Sequence, residues 1–347
     1  MSQDKIVIRK KDHLRIALSK HSQTGDNGFS RYRFVHNALP EINFDDINLS
    51  TYFLGKKVNY PFFISCMTGG LDEGLRINRN LAFAARKHKI AMGVGSQRAA
   101  VEHPNLAKLF AVREIAGDIP LIANVGLVQL NYGFTIKEFQ KCVDMIKADA
   151  LAVHINPIQE VIQPEGDRNF ANLLPKLKKI VNNFSVPIIV KEVGFGISYE
   201  VASKLYSSGV RIIDTAGWGG TSWAVVEGER RDGYEELGHL FGQWGIPSAE
   251  SIKMCAEFNK SLIAKNVQEI TILGSGGIRN GIEIAKAIAL GADLVGIAMP
   301  FAKAALVSQK EVEKLIERLA LELKVAMFGV GAINISQLKK VKLIENK

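Results

Sequence analysis

Four groups of residues in this sequence could do chemistry. The first is Gly274-Ser275-Gly276-Gly277-Ile278-Arg279, which follows an apolar run and opens a helical pattern. Glycines let backbone N–H groups approach an anion closely, and a following helix N-terminus adds its dipole, so this turn suits a phosphate. A tight turn with no ligand is the plain alternative. The second is Lys191, which ends the apolar run 187–191. A lysine on a buried strand is costly unless its charge is used. It could form a Schiff base, bind a phosphate, face an anionic cofactor ring, or simply pair with Glu192. The third is His154, Asn156, Gln159 and Glu160, packed into seven positions. One carboxylate among anion-binding groups could hold Mg²⁺ bridged to phosphate oxygens, and His154 would serve equally as a hydrogen-bonded core histidine. The fourth is the basic run Arg9-Lys10-Lys11-Asp12-His13, which alone would read as a solvated arm.

The elements that must position these groups alternate along the chain. Apolar runs at 61–67, 90–94, 120–125, 149–155, 187–191, 210–214, 269–273 and 293–298 are predicted strands. Between them lie amphipathic helical patterns near 75–87, 106–115, 136–146, 170–181, 248–258 and 282–290, with a helix capped by Ser198 and a long closing helix through Val312, Leu315, Ile316, Leu319 and Leu323. Thr135 and Glu138 have the spacing of a capping box. Near-continuous apolar strands separated by helices indicate a parallel sheet covered on its outside, and eight such units favour a closed (β/α)₈ TIM barrel. The division expected is a single domain: an N-terminal arm at 1–58, a barrel core at 59–305 and a C-terminal helical extension at 306–347. Residues 216–246 read as a Gly/Trp-rich insert after the sixth strand. In a barrel of this kind the active site forms from loops after the strands' C-terminal ends, which is where all the chemical groups above fall except the basic run.

Composition narrows the function classes. The net charge of +9 comes from 44 basic and 35 acidic residues spread along the chain, which suits a phosphorylated substrate better than nucleic acid. Cys66, Cys142 and Cys255 form no CxxC pair, so a disulfide framework or zinc site is not expected and a reducing cytoplasm fits. Residues 1–11 are polar and lack the apolar core of a signal peptide. The longest apolar region, 284–307, is interrupted by Lys286, Asp293 and Lys303 and is not expected to span a membrane.

Taken in order, the strand-end segments resemble the type 2, FMN-dependent isopentenyl-diphosphate delta-isomerases, and most nearly archaeal members. The segments are Arg9-Lys10-Lys11-Asp12-His13, Met67-Thr68-Gly69-Gly70, Gly93 through Arg98, Asn124-Val125-Gly126, and His154 through Glu160. They continue with Pro164-Glu165-Gly166-Asp167, Lys191 through Gly194, Gly217 through Trp223 with Glu227, Gly274 through Arg279, and Ala298-Met299. Each is weak alone; their order over nearly the whole chain is specific. One departure is Asp214-Thr215, where the family pattern leads one to expect a small hydroxyl residue directly after the sixth strand.

The resemblance implies FMN held by Met67, Thr68, Gly69, Ser96, Asn124, Lys191, Thr221, Gly277, Ile278, Arg279, Ala298 and Met299. It implies a substrate diphosphate met by Arg9, Lys10, Ser96, Gln97, Arg98, His154, Asn156 and Gln159, with Mg²⁺ on Glu160 and the arm folded over the barrel mouth. The implied reaction is a 1,3-proton shift between isopentenyl and dimethylallyl diphosphate. Reduced FMN would act as an acid–base cofactor with NADPH only as its reductant, and Gln159, Glu227, Lys191 and His154 would be the catalytic group. It also implies a homo-tetramer or homo-octamer. Two other readings compete: an FMN oxidoreductase of the hydroxyacid-oxidase type on the same barrel, and a non-enzymatic phosphate- or nucleic-acid-binding barrel.

Overall fold

The apolar runs are the staves of one closed barrel. The computed structural model describes residues 3–19 and 21–346, with side chains from residue 8 on; Met1, Ser2, Lys20 and Lys347 lie outside the described residues. The staves are β1 (Phe62–Ile64), β2 (Met92–Gly93), β3 (Leu121–Gly126), β4 (Ala150–His154), β5 (Ile188–Lys191), β6 (Ile212–Asp214), β7 (Thr271–Ser275) and β8 (Leu294–Ile297). Each pairs in parallel with the next, and β8 returns to β1 through Val295 opposite Phe62.

The two-residue period of a strand sorts the side chains. Outward residues such as Leu121, Ala123, Val125, Leu151, Val153 and Val190 join the helices in the main core. Inward residues Phe63, Ala91, Ile122, Ala150, Ala152, Ile189, Leu273 and Leu294 fill the barrel itself. Phe53 and Val58, from the hairpin of Thr51–Phe53 with Lys56–Val58, belong to that inner cluster and plug the lower end. Two residues above the inner apolar layer, the same inward period delivers Asn124, His154, Lys191, Asp214 and Ser275 to the upper end. A packed barrel floor therefore carries a polar ring.

The helices that matter here are α1 (Gln3–Ala17), α2 (Asp72–His88), α3 (Ile136–Ile146), α4 (Pro157–Ile162), α5 (Tyr199–Ser207), α6 (Trp223–Gly228), α7 (Glu235–Gly242), α8 (Ser248–Ala264), α9 (Gly281–Leu290), α10 (Met299–Val307) and α11 (Gln309–Gly329). Both reciprocal bonds of the Thr135–Glu138 capping box are made at the start of α3, and Ser198 caps α5 by accepting from Val201 N–H.

Some local expectations differ. The pattern at 106–115 is a 3₁₀ segment, Pro104–Phe110, followed by a four-residue helix, Arg113–Ala116. The expected insert holds α6 and α7. Its glycines mask helical periodicity, yet they are what lets the two helices touch: a Cβ on Gly238 would lie 2.9 Å from Gly228 Cα. The closing helix through Val312 and Leu323 is α11, which Ser308 caps by accepting from Glu311 N–H, and a separate helix, α10, precedes it. No helix among the described residues is long and apolar enough to cross a membrane.

Candidate active site at the barrel mouth

A cavity of about 300 Å³ opens at the upper end of the barrel. Its floor is the polar ring, its walls are the strand-end loops, and its roof is α1, which presents Arg9, Lys10, His13, Leu14 and Ala17 to the space below. Lys10 fixes the roof. Its ammonium donates to the Gly69 and Ser96 carbonyls, at 2.5 and 3.4 Å, and stands 5.0 Å over the Phe110 ring. Burial, with Arg9 adding repulsion, pulls Lys10 down to about 7. Arg9 makes no hydrogen bond or ion pair with a described residue, so its charge is open to the cavity it lines.

Beneath the roof a buried hydrogen-bond chain runs through α4 into α6. Asn156 Nδ2 donates to Gln159 Oε1 at 3.1 Å and to Glu160 Oε1 at 2.8 Å. Gln159 Nε2 donates to Glu227 Oε1 at 2.9 Å. His13 Nε2 stands 2.9 Å from the same oxygen, and Arg230 pairs with Glu227 Oε2 at 2.5 Å. Burial alone would raise Glu227, but His13 and Arg230 beside it outweigh that and hold the carboxyl near 2, an anion. Trp223 stacks edge-on against His13, with ring centroids 5.2 Å apart. Glu160 accepts from Asp167 N–H at 2.7 Å, and burial raises its pKa. Arg98 binds Glu102 at 2.8 Å and also pairs with Asp167. Asn156 Oδ1 is buried without a hydrogen-bond partner, an oxygen donor left over in a cavity wall.

His154 Nδ1 meets Asn124 Oδ1 at 2.8 Å. Burial, then the Lys191 and Arg98 charges, push the ring down to about 4, so it is neutral at working pH. Lys191 pairs with Asp214, Nζ to Oδ2 at 3.3 Å, and not with Glu192. Glu192 turns away and accepts from Val193, Gly194 and Phe195 N–H through one oxygen at 2.5–2.6 Å. Burial still lifts it to about 7.

The glycine turn after β7 locks into the turn after β6. Gly277 has φ +65°, and a Cβ there would lie 2.1 Å from Gly219 O; at Gly276 it would lie 2.2 Å from Gly217 O. Arg279 crosses both turns, donating to Gly277 O at 2.5 Å, Gly219 O at 3.2 Å and Gln23 Oε1 at 3.1 Å. Gln23 Nε2 in turn donates to Thr221 Oγ1 at 2.8 Å. Two backbone turns without side chains, an arginine, and the start of α10 at Met299 make a cradle for an anionic group.

Every residue expected at the site lines this cavity except two. Gln97 points the other way: its Nε2 donates to Cys142 O at 2.8 Å and its Oε1 accepts from Asn124 N–H at 2.9 Å, so its side-chain polar atoms tie β3 to α3 and do not line the cavity. Glu227 lies behind Gln159 and His13 and reaches the cavity only through them. Sequence reasoning gave no role to His13, Gln23, Arg230 or Asp167. The basic run carries a signal for His13, since on a helix it neighbours Arg9 at i+4 and Lys10 at i+3. Gln23 has no signal, because its partners are far along the chain.

Residues 158–345 match the family described as FMN-dependent dehydrogenase. The fold is shared with a flavocytochrome b2 variant with sulfite bound, at a TM-score of 0.68 and 19% identity over 97% of this chain and 83% of that one. It is shared also with mandelate oxidase bound to (S)-2-phenylpropionate, at 0.64 and 16% over 99% and 98%. Fold and match together define an FMN-dependent barrel class. Within it, the isopentenyl-diphosphate delta-isomerase of Nostoc sp. is 50% identical over 95% of this chain and 93% of its own length. Those of Rickettsia bellii and Rickettsia africae are 47% and 46% identical over 98% and 97% of both chains. The chain belongs to the isopentenyl-diphosphate delta-isomerase family.

Proposed function

We propose that this chain interconverts isopentenyl and dimethylallyl diphosphate by a 1,3-proton shift, with reduced FMN in the barrel mouth, as a step of isoprenoid biosynthesis. The observation that carries the reading at this site is the roof. Helix α1 brings Arg9, Lys10 and His13 over a cavity whose wall already holds an anion cradle, which provides for two phosphorylated molecules at once.

The residues fit FMN. The Gly276–Gly277 turn packs backbone to backbone on the Gly217–Gly220 turn, where a Cβ at either position would strike a carbonyl, and Arg279 and Thr221 flank it. Met67, Thr68, Gly69, Ser96, Asn124, Lys191, Ile278, Ala298 and Met299 would form the rest of the bed. When bound, reduced FMN supplies acid–base chemistry and an electron-rich face, without net redox.

The protein's own contribution is positioning and exclusion of water. Protonating an isolated alkene makes a tertiary cation that water would quench, so the closed roof matters. Arg9, Lys10 and Arg98 would hold the diphosphate. His154, neutral and fixed by Asn124, and Asn156 would hydrogen-bond it. Gln159, held rigid between Asn156 and Glu227, would orient the reacting end. Glu227 reaches the cavity only through Gln159 and His13, so it is a positioning residue: its carboxylate, itself paired with Arg230, would hold both side chains in place.

Mg²⁺ belongs to the same reading. Glu160 and the unpartnered Asn156 Oδ1 are hard oxygen donors in one wall, to which diphosphate oxygens would add. NADPH would serve as reductant of the flavin. A single 1–347 domain with an arm at 1–58 and extension at 306–347, a homo-tetramer or homo-octamer, and a cytoplasmic location complete the proposal. Three scattered free cysteines support the last.

The test is an anaerobic assay with FMN, Mg²⁺ and isopentenyl diphosphate, with the flavin oxidised or reduced beforehand. Dimethylallyl diphosphate formed only with reduced flavin supports the reading. Bound FMN without isomerisation in either state would favour the oxidoreductase alternative.

A further inference from the structure

The Lys191–Asp214 pair is not a flexible contact. Lys191 ends β5, Asp214 ends β6, and the two are direct partners in the parallel register of neighbouring strands. Both side chains point inward, at 8% and 2% exposure. Ser275, two residues past Asp214's register partner Leu273 on β7, donates its hydroxyl to Asp214 Oδ1. The carboxylate is thus held from one side by a hydroxyl and from the other by the ammonium, by three consecutive staves. Lys191 lines the cavity and Asp214 lies behind it. Seen from the cavity, the floor is a dipole with its positive end forward, and its net charge is zero.

That arrangement matters for any ring resting on Lys191. A free buried cation favours whichever form of a bound group is more anionic, and for a flavin that is the reduced form. A cation neutralised at 3.3 Å favours it far less, because the carboxylate's opposing field is scarcely screened in a dry site. We propose that Asp214 is a positioning residue that sets the charge presented to the flavin: it anchors Lys191 Nζ and cancels its charge, keeping the site suited to acid–base use of the cofactor and not to pulling electrons into it. This rests on FMN occupying the cavity as proposed above.

The experiment measures the midpoint potential of bound FMN, by anaerobic reduction against a reference dye, in the wild type, Asp214→Asn and the double variant Lys191→Met/Asp214→Asn. Asp214→Asn keeps the shape and the Ser275 bond while freeing the lysine charge. The ratio of affinities for reduced over oxidised FMN should rise at least about tenfold, a positive shift of about 30 mV for two electrons. In the double variant both charges are gone, and the ratio should return to within about threefold of wild type. An Asp214→Asn ratio unchanged within threefold would overturn the proposal. So would a double variant whose ratio falls tenfold or more, since Lys191 would then act as an unpaired cation. If Asp214→Asn does not fold, the double variant, which leaves no buried charge unpaired, decides alone by the same threshold. A wild-type protein that binds no FMN would instead defeat the functional reading itself.

Discussion

Raising the pH from 6 to 8 should loosen the hold on the substrate diphosphate through one residue. Lys10 is pulled down to about 7 by burial and by Arg9, so it sits near half-charge at neutral pH in the substrate-free protein. Its charged fraction falls about tenfold between pH 6 and 8. If the ammonium meets the diphosphate while bridging the Gly69 and Ser96 carbonyls, KM for isopentenyl diphosphate carries that factor, about 1.4 kcal/mol of binding. The substrate's own phosphate ionisation changes over the same range, so the comparison is with Lys10→Arg, whose guanidinium stays charged. The ratio of wild-type to Lys10→Arg KM, with saturating reduced FMN and Mg²⁺, should rise about tenfold from pH 6 to 8. Any constant offset from the bulkier side chain drops out of that slope. A flat ratio would refute the reasoning. The sign for stability is opposite. The folded pKa lies below the ordinary 10.5, so between about 7 and 10.5 the undocked lysine binds the proton that the docked one has lost. Docking of α1 without substrate therefore strengthens as pH rises through that window.

Three further variants test the geometry. Glu227→Gln removes the anion shared by Gln159, His13 and Arg230; kcat should drop about 10²-fold and unfolding free energy by about 3–5 kcal/mol, read by kinetics and urea titration. Because Glu227 is depressed from 4.5 to about 2, its stabilisation is present above pH 4.5 and lost as pH falls toward 2, so the acid limb of a stability profile should flatten in Glu227→Gln over that window. Gly277→Ala sets a Cβ against Gly219 O at a left-handed backbone position and should weaken FMN binding at least about tenfold, measured by flavin fluorescence quenching. Thr135→Ala breaks the capping box of α3 away from the site; it should cost about 1 kcal/mol in stability and leave kcat unchanged.

The barrel was legible because each stave combines a short apolar run with a polar strand end, and a two-residue period then decides which polar residues face inward. Asn124, His154 and Lys191 could be placed from that rule alone. Gln97 defeated it. It follows β2 in a segment rich in polar groups, but its turn bends the amide outward onto the Cys142 carbonyl, a contact 45 residues away. For Lys191 the sequence offers Glu192 as the adjacent ion-pair alternative, whereas its partner is its neighbour across the sheet, Asp214. The departure noted at Asp214 is therefore filled by an ion pair. The helices of the insert were hidden by glycines that serve contact and not flexibility. The roof is half legible: the basic run marks the chemistry, but the 2.9 Å approach of His13 to Glu227 joins residues whose meeting only the fold determines.

The most direct test of the central claim is to count product against reductant. Purified protein with FMN, Mg²⁺, isopentenyl diphosphate and limiting NADPH would be followed anaerobically for dimethylallyl diphosphate and NADPH together. Many molecules of product per NADPH consumed are expected, since the reductant only prepares the flavin and the proton shift is redox-neutral. One NADPH oxidised per product, or NADPH oxidation with no dimethylallyl diphosphate, would contradict it.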